Sequence, residues 1–166
     1  MYSKYYYLAA SLPYLILGKA QPLAKEDFLS ECKKWLSASD FSRLESIDIE
    51  SLDITANDLP LLAGWKRFDM SLRTELADFR KKRRKEKERP APASLKDIFE
   101  KENPLLMERA IAQKRWNFIE ECEFGNHFDL NFLTLYFLKL QILERITKFD
   151  KEKGRDIFQG YTRGKI

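Results

Sequence analysis

FDLNFLTLYFLKLQILERITKFDKEKG, residues 128–154, holds the densest apolar patterning in the chain. Leu135, Leu138, Ile142, Ile146 and Phe149 recur three or four residues apart, and Phe132, Leu133, Tyr136, Leu140 and Leu143 make a second stripe beside them. Adjacent stripes at that spacing describe one helix with a wide buried face. Thr134, Gln141, Arg145 and Lys148 fall on the remaining side, and Glu144 precedes Lys148 by one turn in the orientation that favours an ion pair. Such a helix is built to be gripped by other helices. None of its side chains is an obvious catalyst.

Upstream, helix signals dominate. Residues Tyr5 to Leu12 fit a short strand by their aromatics and a helix by their alanines, so that stretch stays open. Pro13, Gly18 and Pro22 mark an irregular crossing to a helix over about residues 25–36, with Phe28, Leu29, Cys32, Trp35 and Leu36 as its apolar face. Ser39 is placed to cap a short helix through Leu44, and residues 46–57 read as a polar connection. Asp58 opens a longer helix to about Glu88, striped by Leu61, Trp65, Phe68, Leu72, Leu76 and Phe79. The two successive four-residue steps in that stripe are a stutter, which straightens a coiled coil. Its length, on the order of 45 Å, carries its end beyond the core.

Pro90-Ala91-Pro92-Ala93 stops this helix, because each proline disfavours helix in the residue before it. Ser94 and Asp97 have capping-box spacing for a short helix over residues 95–102. Asn103 followed by Pro104 opens a helix to about Glu123, which Gly125 can end. The expected fold is an all-α helical bundle with one long, partly projecting helix. Residues 1–166 are read as a single helical domain containing, at 80–93, a basic helix end and a Pro/Ala linker.

With 166 residues, 44% of them hydrophobic, the chain can bury a real core. The formal charge is +4, but 34% of residues are charged, so both signs are abundant and the excess is small for a dedicated nucleic-acid binder. Cys32 and Cys122 lie on the apolar sides of expected helices, as small buried hydrophobes do in a reducing cytosol. The uncharged stretch over residues 5–17 is too short, and too interrupted by Pro13, to span a bilayer. It is also a poor signal peptide. The expectation is a cytoplasmic protein that meets a membrane only through a partner.

The search for chemistry is mostly negative. His127 is the only histidine and has no second Cys/His cluster with which to found a zinc site. The scattered glycines form no phosphate-cradling loop, and the serines lack a His/Asp pairing. Glu120, Glu121 and Glu123 read as a solvated helix face. Catalytic residues, cofactor and metal ligands are accordingly expected to be none. The remaining candidate is Arg80–Arg89, RKKRRKEKER, with eight basic residues in ten. Three roles fit it: a solvated helix end favoured by the dipole, a dock for an acidic protein surface, or a phosphate-contact arm. It has no interleaved aromatics for base stacking. Lys81, Lys82, Arg83, Arg84 and Lys85 are its partner-binding candidates.

Tyr5-Tyr6-Tyr7-Leu8-Ala9-Ala10-Ser11-Leu12-Pro13, then Phe28-Leu29 with Trp35-Leu36-Ser37, and late in the chain Leu138-Lys139-Leu140-Gln141-Ile142-Leu143-Glu144-Arg145 with Glu152-Lys153-Gly154, resemble a bacterial family of uncharacterised function. Genes of that family typically lie in V-type (A/V-type) ATPase operons. A fainter similarity, at Lys139 and Arg145-Ile146 within a leucine-rich helix, reaches the V-type ATPase coupling protein termed C or d, a helical socket that joins the central stalk to the rotor ring. That socket protein is longer and three-lobed, so this chain would correspond to a reduced version or to one lobe with an arm. The resemblance implies a non-catalytic component or assembly factor of a bacterial V-type ATPase, with central-stalk or rotor-ring subunits as partners and no bound cofactor. The rival from another class is a nucleic-acid-associated protein using residues 80–89. An enzyme with a carboxylate-based site ranks last.

Overall fold

The computed structural model describes residues 5–86 and 90–148. Their helices are α1 (Tyr6–Ser11), α2 (Lys25–Trp35), α3 (Ala38–Glu45), α4 (Pro60–Lys85), α5 (Lys96–Phe99), α6 (Pro104–Glu123) and α7 (Leu130–Thr147), with a 3-10 turn at Ala93–Leu95 leading into α5. No strand occurs among the described residues, so the architecture is all-α. Phe149, the Glu152-Lys153-Gly154 element and residues 87–89, which include the expected end of the long helix and Arg89 of the basic run, lie outside them.

α7 is the axis of the core. Asp129 caps it by accepting from the Phe132 backbone N–H at 2.8 Å, and every residue from Leu133 to Leu143 is buried. The apolar stripes lie where the spacing predicts, but the polar side is not a solvent face. Thr134 and Gln141, expected there, are buried, because α2, α3, α6 and the 46–57 connection surround the helix. A helix enclosed this way must satisfy each polar side chain within the protein. Thr134 Oγ1 donates to the Leu130 carbonyl at 2.8 Å, and the Tyr136 hydroxyl donates to the Pro13 carbonyl at 2.8 Å. Gln141 uses both ends of its amide: Nε2 donates to the Ile47 carbonyl and Oε1 accepts from the Ile49 N–H, each at 2.8 Å. The connection is thereby stitched to α7, with Ile47 and Ile49 in the core. Lys148 stays exposed and pairs with Glu144 at 3.1 Å, one turn back as anticipated.

Phe28 of α2 stacks on Tyr136 and Phe137, with ring centroids 5.3 and 5.4 Å away. Cys32 follows it into the core, but Trp35 does not: it is 53% exposed and its indole N–H reaches Glu31 at the surface. The helix ends at Trp35, and it is the next residue, Leu36, that packs partly against the core. The ambiguous Tyr5 to Leu12 stretch is helical. Leu8 and Ala9 face inward, Tyr6 and Tyr7 outward, and the Tyr5 N–H donates to the Phe128 carbonyl at 3.2 Å.

Three caps differ from expectation. Ser37, not Ser39, caps α3, accepting from the Asp40 N–H at 3.3 Å. The long helix begins at Pro60 rather than Asp58, whose carboxylate is engaged elsewhere. Ser94 forms no capping box, because its hydroxyl donates to Glu75 across the chain and Asp97 accepts an ion pair from Lys114. Asn103 caps α6 as predicted, at 2.9 Å from the Leu106 N–H, and Gly125 follows that helix in the left-handed region at φ +83°.

α4 serves two apolar clusters in succession. Leu62 and Trp65 join the main core around α7, whereas Leu72, Leu76 and Phe79 form a second cluster with Leu95, Ile98 and Ile111. Phe68 touches both clusters and stacks on Phe118 at 4.1 Å. Phe79 is the last buried residue of α4, and Arg80 to Glu86 are exposed.

Candidate functional site

Two ionic groups hold α4 against the body. Lys66 is buried and donates to the Asp53 carbonyl at 2.6 Å and to Asp58 at 2.7 Å. Burial pushes the Asp58 carboxyl up, but the bonds from Lys66 and from the Thr55 N–H and hydroxyl outweigh it and hold the group below the usual aspartate range. One turn further along, Asp69 is 0% exposed and accepts from two arginines. Arg115 of α6 reaches its two oxygens at 2.7 and 3.2 Å, and Arg73 reaches it at 2.8 Å. A carboxylate removed from water needs this density of charge-assisted donors.

The network continues outward. Arg73 also donates to the Ile49 carbonyl at 3.1 Å and lies 3.5 Å from Glu50. Glu50 pairs with Arg145 of α7, which approaches Glu108 of α6 at 3.7 Å. Helices α4, α6 and α7 and the 46–57 connection are thus cross-linked by alternating charges. Beside the network a cleft of about 170 Å³ opens among Arg73, Ala77, Arg80, Glu108 and Arg145.

The expected carboxylate face on α6 divides. Glu121 is exposed, but Glu123 accepts from Lys139 at 2.7 Å and Glu120 lies 4.0 Å from the same ammonium. Lys139 is buried with its ammonium 4.9 Å from the centre of the Trp116 ring, and the Trp116 indole N–H donates to Glu120 at 2.8 Å. These groups fasten α6 to α7. His127 is exposed. Both cysteines are free thiols: burial raises each above its usual value, and Cys32, buried beside the Glu31 charge, is pushed up to about 12. No group of metal-ligating side chains gathers among the described residues, nor is any helix there long and apolar enough to cross a membrane.

The basic candidates lie apart from these networks. Lys81, Lys82, Arg83, Arg84 and Lys85 are all exposed on the last turns of α4 and make no ion pair with another described residue. They are not brought together around one point, since the helix distributes them around its circumference. Lys82 lines a separate cleft of about 760 Å³ with Glu75, Asp78 and the 90–95 segment.

Sequence reasoning overlooked Lys66, Asp69 and Arg115. A signal for Asp69 existed: it stands four residues after Trp65 and three before Leu72, a core position on α4. A charge at such a place calls for a buried partner. Nothing in the sequence identifies Arg115 as that partner, 46 residues away.

Residues 92–162, under half of the chain, match the model of a family described as "Protein of unknown function (DUF2764)". The matched stretch includes α5, α6 and α7 and excludes the basic end of α4. No curated protein and no solved structure matches the chain.

Proposed function

We propose that the protein is a non-catalytic component or assembly factor of a bacterial V-type ATPase, acting like the socket protein that couples the central stalk to the rotor ring. The observation that carries this reading is the exposed run Lys81–Lys85. The buried cations Lys66, Arg115 and Lys139 are each tied to carboxylates, whereas this run ends α4 with five cations that no described carboxylate neutralises. An unneutralised cationic helix end suits an acidic protein surface. The resemblance to the ATPase-operon family at Tyr5–Pro13 and Leu138–Arg145 supports the choice of partner. In this reading the protein stays at the cytoplasmic side and meets the membrane through the ATPase.

Deleting the gene in the native host tests the proposal, with assembled ion-coupled ATPase and soluble-head hydrolysis measured separately. The expected outcome is a larger loss of assembly or ion coupling than of soluble hydrolysis, because a coupling element lies outside the sites of chemistry. Unchanged assembly and unchanged coupling overturn the reading. Tight binding of duplex DNA or RNA with a steep salt slope would put a nucleic-acid role in its place.

A further inference from the structure

The cations at the end of α4 are not equivalent. At 100° per residue, Arg73, Ala77, Arg80 and Arg84 fall within about 60° of one another on a single face. That face leads out of the cleft beside the Asp69 network, where Arg73 is oriented by its 2.8 Å bond to the buried carboxylate. Arg80 and Arg84 follow, exposed and without an ion pair to any described residue. Ala77 stands between Arg73 and Arg80 and carries no side chain beyond Cβ, so a chain can approach the backbone there. Glu50 and Glu108 also line that cleft, but Glu50 is paired with Arg73 and Arg145, and Glu108 with Arg145. On the opposite face Lys82 shares its cleft with Glu75 and Asp78, which make no ion pair with a described residue and repel an anionic partner.

We propose that an acidic polypeptide segment docks lengthwise along the arginine face of α4, its carboxylates on Arg80 and Arg84 and its leading end in the cleft at Arg73 and Ala77. The inference deepens the reading above and rests on it only for the existence of a protein partner. Guanidinium forks bind carboxylates in two-point geometry, which an ammonium cannot do. Arg80 and Arg84 stand one turn apart, about 6 Å along the axis. Glutamates one turn apart on a helical partner match that interval.

The probe is a fluorescein-labelled helical peptide with glutamates at four-residue spacing, titrated against the full chain at near-physiological salt. Two variants remove equal charge: R80Q/R84Q from the arginine face and K81Q/K85Q from the flank. R80Q/R84Q is expected to weaken binding about tenfold or more, and K81Q/K85Q by less than about threefold, because only the first loses the paired forks. R80K/R84K should recover only part of the loss. Equal losses in the two glutamine variants would show plain charge attraction and overturn the proposal, as would tighter binding of duplex RNA that ignores Arg80 and Arg84. Thermal unfolding of each variant establishes that it is folded. Capture of ATPase components separates the two ideas: capture unaffected by R80Q/R84Q sinks the arginine face and leaves the ATPase reading standing. Peptide binding with the expected variant pattern, but no ATPase components captured by the wild type, does the reverse.

Discussion

Asp69 and Arg115 show how a single charge commits a helix to its position. Replacing Arg115 with methionine leaves a fully buried carboxylate with Arg73 alone, and removal of one partner from a buried pair costs about 3–5 kcal/mol. Urea denaturation should register that loss. The double replacement D69L/R115M should lose less, since it removes the stranded charge together with its partner. Asp58 makes a prediction about acid. Its folded-state pKa lies below the ordinary value of 3.8, so its stabilising contribution is complete above that value and disappears as pH falls through the depressed one. Denaturation midpoints measured from pH 6 down to the acid limit should fall less steeply in D58N than in the wild type at the low end. Identical slopes would mean that the Lys66–Asp58 pair contributes nothing to acid sensitivity.

Among the elements, α7 carries the core, and Leu138 and Ile142 sit at its centre. Alanine at either should cost about 2–5 kcal/mol, the range for a large aliphatic cavity. A loss below about 0.5 kcal/mol in both variants would be a surface value and would contradict their burial. The sequence allowed this helix to be read because its apolar residues keep helical spacing over many turns. It misled at Thr134 and Gln141, because polarity suggested solvent where the surrounding helices and the 46–57 connection supply hydrogen-bond partners. Helix starts were legible where the cap uses its own neighbours, as Asn103 does. They were misplaced where the side chain was recruited from a distance, as Asp58 was by Lys66 and Ser94 by Glu75. The exposed basic end could be read from composition, but the distinction between its faces needed the cleft that α4, α6 and α7 form together.

At the scale of the whole molecule, the basic end is expected to be separable from the fold. Replacing Lys81, Lys82, Arg83, Arg84 and Lys85 with glutamine should change stability by no more than about 0.5 kcal/mol per site, because exposed residues outside specific networks contribute little. Binding to an acidic partner should fall and become less salt-dependent, since Arg80 remains. Unfolding of that variant would show that the run is packed. The opposite behaviour is expected of the 46–57 connection, which has little regular structure yet buries Ile47 and Ile49 in the core. With the Gln141 amide clasping the Ile47 carbonyl and the Ile49 N–H, a side chain stands where a neighbouring strand would otherwise stand. The amide proton of Ile49 should therefore exchange with deuterium as slowly as those in the middle of α7, through large-scale opening rather than local loop motion. In Q141L it should exchange far faster than the α7 amides, uncoupling the connection's clock from that of the core.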